Sequence, residues 1–173
     1  MNNAVVINVI RFLLILVFQG YVLKRISEIV FGGFYFEILF YPLFIMLLPF
    51  RTPRFLQLFL AFLMGICVDA FYDSPGVHAS AAVFLAFIRP VILSWLAPRD
   101  GYNANYSPTM ARYTFPWFLR YASLMLIFHL FFYFSVEAFT FVYIMDILLK
   151  TISSFVTSMV FIMVIMFSFN PVD

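Results

Sequence analysis

The chain carries little charge: only 10% of its 173 residues are Asp, Glu, Lys or Arg, whereas 65% are hydrophobic. A soluble domain contains about 25% charged and about 45–50% apolar residues. So few charges cannot cover a water-exposed surface, and the mean hydropathy of +1.05 indicates that lipid is the main solvent. The net charge of +2 is too small and too dispersed to favour a nucleic-acid partner.

Residues that commonly carry chemistry are also scarce. Cys67 is the single cysteine, which excludes an internal disulfide and a thiolate metal site. The two histidines, His78 and His129, are far apart in the chain with no acid at ligand spacing, so we expect no metal site and no cofactor. The sequence contains no phosphate-binding loop, nucleophile elbow or zinc motif. We therefore expect a protein without enzymatic activity.

Long apolar runs, in contrast, are abundant. A helix that crosses a bilayer needs about 20 mostly apolar residues. By this measure we predict an all-α integral membrane protein, with a bundle of about six transmembrane helices in a single polytopic domain, 1–173. The predicted spans are approximately 4–22, 34–50, 55–72, 77–96, 115–136 and 148–169. The second and third spans are the shortest.

The basic residues predict an orientation, because Lys and Arg accumulate in the short cytoplasmic loops of membrane proteins. With six crossings, both termini lie on one side of the membrane. That side also carries the larger basic group, Arg51, Arg54, Arg99 and Arg112. The opposite side carries Lys24, Arg25 and Lys150, together with most of the acids. The count favours cytoplasmic termini, and the outer acids either collect where bases are excluded or meet a basic partner or a cationic substrate.

Two predicted spans carry small or hydroxyl residues at helical spacing. Ala61, Gly65 and Asp69 repeat every four residues and therefore share one face of the third span. Small residues at this spacing allow helix backbones to approach closely. Ser154 and Ser158 give the sixth span a face of hydroxyls that can bond across helices. We interpret both faces as packing within the bundle, with binding of a separate subunit as the alternative.

Polar residues within the spans are the candidates for function. Asp69 is the strongest, since an ionisable residue in a membrane helix usually faces protein or water. In the structural interpretation, Asp69 caps a helix or pairs with a nearby group at the outer rim. In the functional interpretation, it orders the turn 73–76 or contacts a partner. We expect His78, at the head of the fourth span, to be a satisfied polar group. We expect the long side chain of Arg89 to snorkel towards an interface.

Residues 65–71 read GICVDAF, and residues 74–79 read SPGVHA. This stretch resembles the MreD family of rod-shape-determining membrane proteins, which has a Gly-x-x-x-Asp segment at the end of a membrane helix. In that family a turn with Ser, Gly and His follows, and then an Ala-rich helix. The positions of this chain that carry the resemblance are Gly65, Asp69, Ser74, Gly76, His78 and Ala79. The high Phe content and the long loop 98–114 depart from the family.

The resemblance implies a non-catalytic scaffold in the bacterial inner membrane that helps to maintain cell shape and to direct peptidoglycan synthesis. It implies binding to the morphogen MreC, in a complex with the actin-like MreB, the glycosyltransferase RodA and a penicillin-binding transpeptidase, all surrounded by membrane lipids. The family is similar in fold to the six-helix substrate-binding (S-component-like) subunits of vitamin transporters. The alternative function is therefore a membrane subunit that captures a small, vitamin-type molecule.

Overall fold

The computed structural model describes residues 2–31 and 36–169. The helical elements among these residues are α1 (Asn2–Val17), a π-helical stretch (Phe18–Leu23), α2 (Lys24–Phe31), α3 (Pro42–Met46), α4 (Arg54–Tyr72), α5 (Val77–Trp95), α6 (Phe115–Ala138), a 3-10 turn (Phe141–Tyr143) and α7 (Ile144–Phe169). The described residues contain no strand. This part of the chain is therefore all-α, as the apolar runs predict.

Five helical stretches are long and apolar enough to cross a membrane: Val6–Ile29, Arg54–Tyr72, Val77–Trp95, Phe115–Ala138 and Phe141–Phe169. Such a set is consistent with a multi-pass membrane protein. Four of the predicted spans coincide with α4, α5, α6 and α7, with small differences at their ends. The predicted first span, 4–22, is too short, because the helical backbone continues through Lys24 and Arg25 to Phe31.

Successive long helices pack side by side, α4 on α5, α5 on α6 and α6 on α7. Their connections define two ends of the bundle. We call the end with the turns 73–76 and 139–143 the turn end. We call the end with residues 51–54 and the connection 96–114 the loop end. This arrangement follows the general tendency of consecutive elements to be neighbours in space.

The predicted second helical span, 34–50, is wrong. Residues 34 and 35 lie outside the described residues, 36–41 are not helical, and only the five residues of α3 form a helix. All side chains from Ile38 to Leu48 are nevertheless buried. We call residues 36–50 the buried segment. An apolar run of this length is compatible with burial inside protein as well as with a lipid-facing helix, and Pro49 lies shortly after the end of α3, where proline is common.

The buried segment extends between the two ends of the bundle. Near the turn end, the backbone N–H of Glu37 donates to Ser154 Oγ of α7 at 2.9 Å. At the loop end, the N–H of Phe50 donates to the carbonyl of Tyr106 at 3.1 Å. The chain therefore passes through the interior of the bundle without forming a continuous helix.

One side chain, Gln19, makes three hydrogen bonds to the non-helical backbone. Gln19, in the π-helical stretch, is 0% exposed. Its Nε2 donates to the carbonyl of Ile38 at 2.9 Å, and its Oε1 accepts from the N–H of Phe40 at 2.7 Å and of Tyr41 at 3.2 Å. A single glutamine thus replaces the partners that these three residues would have in a helix or a sheet.

Serine hydroxyls satisfy the remaining amides of the same stretch. The N–H of Ile38 donates to Ser27 Oγ at 3.1 Å, and the N–H of Leu39 donates to Ser158 Oγ at 2.9 Å. The hydroxyl face predicted for the sixth span, Ser154 and Ser158, accepts hydrogen bonds from within the chain. Its partner, however, is the backbone of the buried segment and not another helix.

The connection 96–114 is packed against the loop end of the bundle. Trp117 Nε1 donates to the carbonyl of Leu96 at 2.9 Å, and the Tyr102 hydroxyl donates to the carbonyl of Leu93 at 2.9 Å. The rings of Phe50 and Tyr102 stack with their centroids 4.5 Å apart. Burial raises the pKa of Tyr102 to about 12, because a phenolate is poorly solvated there.

We predict that Gln19→Leu strongly destabilises the protein. The substitution leaves two buried N–H groups and one buried carbonyl without their partner, and each such group costs about 1–3 kcal/mol. We expect the free energy of unfolding, measured by denaturant titration in detergent micelles, to fall by about 3–5 kcal/mol.

Gln57→Leu is the matched control. Gln57 is also buried, but its Nε2 makes one hydrogen bond, to the carbonyl of Thr52 at 2.6 Å. Its loss should cost about 1 kcal/mol. Equal effects of the two substitutions would contradict the role that we assign to Gln19.

Candidate functional site

Asp69 near the end of α4 provides the hydrogen-bond acceptors for the start of α5. The residue is 4% exposed. Its Oδ1 accepts from the N–H of His78 at 2.8 Å, and its Oδ2 accepts from the N–H groups of Gly76 at 3.0 Å and Ala79 at 3.1 Å. The Ser74 hydroxyl donates to Oδ1 at 3.3 Å. Both carboxylate oxygens are therefore occupied by the turn that follows.

The physical reason lies in the first turn of α5. The first N–H groups of any helix lack partners within the helix, and a side chain at the N-cap usually accepts from them. Here the N-cap is Gly76, which has no side chain and adopts φ 90°, a conformation that favours glycine. Asp69 takes the place of the missing cap, and its negative charge is favourable at a helix N-terminus.

His78 is the second polar side chain of this junction and is 0% exposed. Its Nδ1 lies 3.0 Å from Asp69 Oδ1 and 2.9 Å from Ser74 Oγ. In a catalytic triad the serine contacts Nε2 and the acid contacts Nδ1. Here both groups approach the same nitrogen, so these three residues do not have the geometry of a nucleophile and its base.

Aromatic rings and a second histidine surround His78. The ring centroids of Tyr72 and Tyr133 lie 4.7 and 4.8 Å from that of His78. Tyr41 of the buried segment lies between the two histidines, with its ring centroid 5.7 Å from that of His78 and 5.2 Å from that of His129. The fold thus brings together two histidines that are far apart in the sequence.

Three buried polar atoms in this cluster have no hydrogen-bond partner among the described residues: His78 Nε2, His129 Nε2 and the Tyr41 hydroxyl. His129 Nδ1 is bonded to the carbonyl of Ala81 at 3.2 Å. Within the same part of the chain, no group of three or more His, Cys, Asp or Glu side chains is placed to hold a metal ion.

Gly65 explains how closely α4 and α5 approach. A Cβ atom added at Gly65 would lie 2.7 Å from both the backbone nitrogen of Ala79 and the carbonyl oxygen of His78. Contacts of this length with backbone atoms require the helices to move apart. Ala61, one turn earlier, is 0% exposed. The small-residue face predicted for the third span is buried, and at Gly65 it packs against α5.

Arg89 is a structural residue whose role the sequence analysis missed. The expectation that it snorkels to an interface is wrong, because its side chain is 1% exposed. Its Nε donates to the Tyr121 hydroxyl at 3.1 Å, and its Nη2 donates to the carbonyl of Leu48. The Tyr121 hydroxyl in turn donates to the carbonyl of Met46 at 3.0 Å. Arg89 therefore holds the loop-end half of the buried segment, as Gln19 holds the other half.

Gln19 was not predicted either. The available signal was a polar residue in the middle of an apolar span, which in membrane proteins usually faces the protein interior. No spacing rule links position 19 to 38–41, because the contact depends on the path of a segment that is not helical.

The comparisons with known proteins do not extend this picture. No family model, curated protein or solved structure matches the chain.

We predict that Asp69→Asn destabilises the protein by about 2–4 kcal/mol in denaturant titration. Asparagine keeps one acceptor oxygen but places an amide N–H₂ where Asp69 accepts from two backbone N–H groups. The substitution also removes the charge from the start of α5.

Asp73→Asn is the matched control for Asp69→Asn. Asp73 is exposed and has φ 52°, a conformation that asparagine also tolerates. We expect its free energy of unfolding to change by no more than about 0.5 kcal/mol. If Asp69→Asn were as mild, the carboxylate would not be the cap of α5.

Proposed function

We propose that this protein is a non-catalytic membrane scaffold of the bacterial cell-elongation machinery, acting as the MreD family does. The observation that carries the proposal is that the residues of the family-like motif form one structural unit. Gly65 sets the approach of α4 to α5, and Asp69 binds the start of α5. The remaining motif residues, Ser74, Gly76, His78 and Ala79, all contact one or the other. Because all six motif residues contribute to the same α4–α5 junction, the structure of the motif supports the resemblance more strongly than the matching residue types alone.

The same unit supports a role without catalysis or ligand capture. Both oxygens of Asp69 are used within the chain, and Ser74 and His78 do not form a triad. A cavity of about 590 Å³ between α1 and α4 lies towards the loop end, and none of the motif residues lines it. A capture subunit for a vitamin-type molecule needs a polar cavity at the turn end, beside the motif, so these observations support the scaffold better.

The scaffold would bind MreC and act in one complex with MreB, RodA and a penicillin-binding transpeptidase. Its location would be the bacterial inner membrane, with the loop end and both termini in the cytoplasm. The exposed arginines of the loop end, Arg51, Arg54 and Arg99, support this orientation. Trp95, 63% exposed near the same end, suits the headgroup region of a bilayer.

The proposal predicts a stable complex with MreC. We would co-express the chain with MreC from the same bacterium, purify it in mild detergent and determine its protein and small-molecule contents by mass spectrometry. The expected result is stoichiometric MreC and no stoichiometric water-soluble ligand. Depletion of the chain should also convert rod-shaped cells into round ones.

Destabilised variants give this experiment its control. Asp69→Asn should reduce the amount of chain in the membrane and of bound MreC together, whereas Asp73→Asn should leave both unchanged. A chain that purifies with a stoichiometric vitamin-like molecule and without MreC would instead favour the capture subunit.

A further inference from the structure

A cleft opens between α1 and α4 towards the loop end. Near the turn end the π-helical stretch that follows α1 contacts α4: Gly20 lies under the ring of Phe71, with a Cβ added there only 2.6 Å from the ring. Gln19 Nε2 also donates to the Tyr72 hydroxyl at 2.7 Å. Towards the loop end, α1 and α4 border a cavity of about 590 Å³. This volume is within the range of about 300–1,000 Å³ that is typical of ligand sites.

The walls of the cleft are apolar. Val9 and Leu13 line it from α1, Leu56 and Leu60 line it from α4, and Phe44 of the buried segment contributes to its lining. Both helices are long and apolar enough to cross a membrane. An apolar cavity beside lipid gains nothing from water, so its occupant has to be apolar along these walls.

The size of the cleft disfavours a helix as the occupant. A helix with its side chains is about 10–12 Å across and rises about 5.4 Å per turn, so 590 Å³ corresponds to roughly one helical turn. A crossing helix from a partner or from a second copy of this chain has several turns. A lipid acyl chain is thinner and can follow the walls.

The loop-end mouth of the cleft is polar and basic. Its lining includes Asn8, Arg51, Thr52 and Asn105, and no Asp or Glu among the described residues lines the cavity. Arg51 is exposed, and its Nη1 donates to Asn105 Oδ1 at 3.3 Å. A guanidinium has five N–H donors in a planar fork that matches the oxygens of a phosphate. The mouth is therefore complementary to an anionic phosphate group.

We propose that this cleft binds one molecule of an anionic phospholipid. The phosphate lies at Arg51, and an acyl chain lies along Leu56 and Leu60. The site goes beyond the proposed function and does not depend on it, because α1 and α4 form the cleft whether or not the chain binds MreC. A failed lipid experiment would leave the MreC interaction untouched, and a failed MreC experiment would leave the lipid site untouched.

Native mass spectrometry of the delipidated, detergent-solubilised chain tests the proposal. The probes are phosphatidylglycerol and phosphatidylcholine with identical acyl chains. We expect one phosphatidylglycerol per chain, bound about tenfold more tightly than phosphatidylcholine. Both lipids carry the phosphate, but the choline cation of phosphatidylcholine repels the Arg51 guanidinium and offsets the attraction of that phosphate. Arg51→Gln should abolish this preference, whereas Arg54→Gln, the neighbouring exposed arginine outside the lining, should keep it.

A second pair of variants tests the apolar walls. Leu60→Trp should fill the cleft and weaken the binding of both lipids, whereas Phe59→Trp, on an exposed face of the same helix, should not. If Leu60→Trp does not fold, the comparison of Arg51→Gln with Arg54→Gln still tests the proposal. Excess inorganic phosphate should not displace phosphatidylglycerol.

Three results would overturn the proposal. The first is that the parent chain binds phosphatidylglycerol and phosphatidylcholine with equal affinity, as Arg51→Gln is expected to do. The second is displacement by free phosphate, which would indicate an anion site without an acyl chain. The third is a mass spectrum that shows a dimer of the chain without bound lipid, which would indicate that a second copy occupies the cleft.

Discussion

Backbone N–H and C=O groups at membrane depth need hydrogen-bond partners within the protein, and the fold depends on how this requirement is met in the buried segment. Lipid offers no partners, so non-helical backbone is tolerated there only inside protein. Gln19 binds the turn-end half of the segment, and Arg89 binds the loop-end half. The long helices pack around this segment, and four of the five carry side chains that bond its backbone: the first helical stretch, α5, α6 and α7.

The same requirement explains the junction of α4 and α5. The start of α5 has no cap of its own, and Asp69 supplies one from the preceding helix. The buried side chains of Gln19, Asp69 and Arg89 thus all form hydrogen bonds with backbone groups of the same chain. Large apolar side chains of the long helices are correspondingly exposed on the outside of the bundle.

The sequence predicts the long helices well, because an apolar run bounded by polar connections has few alternatives in lipid. It also predicts that Gly65 and Asp69 share one helix face, because they are four residues apart, and both face the start of α5. It does not predict the buried segment, since residues 38–48 are apolar whether they face lipid or protein. The roles of Gln19 and Arg89 are not predicted for the same reason. Their partners are carbonyls and amides of the buried segment, and no local sequence pattern encodes the path of that segment.

The conformation of residues 37–41 is the most direct test of this account. Backbone chemical shifts from NMR of the isotope-labelled chain in lipid nanodiscs report helix or non-helix residue by residue. We expect non-helical shifts at 37–41, helical shifts across 42–46, and helical shifts throughout α4 and α5. Continuous helical shifts from 36 to 50 would mean that this stretch is an ordinary membrane helix, and would contradict the account.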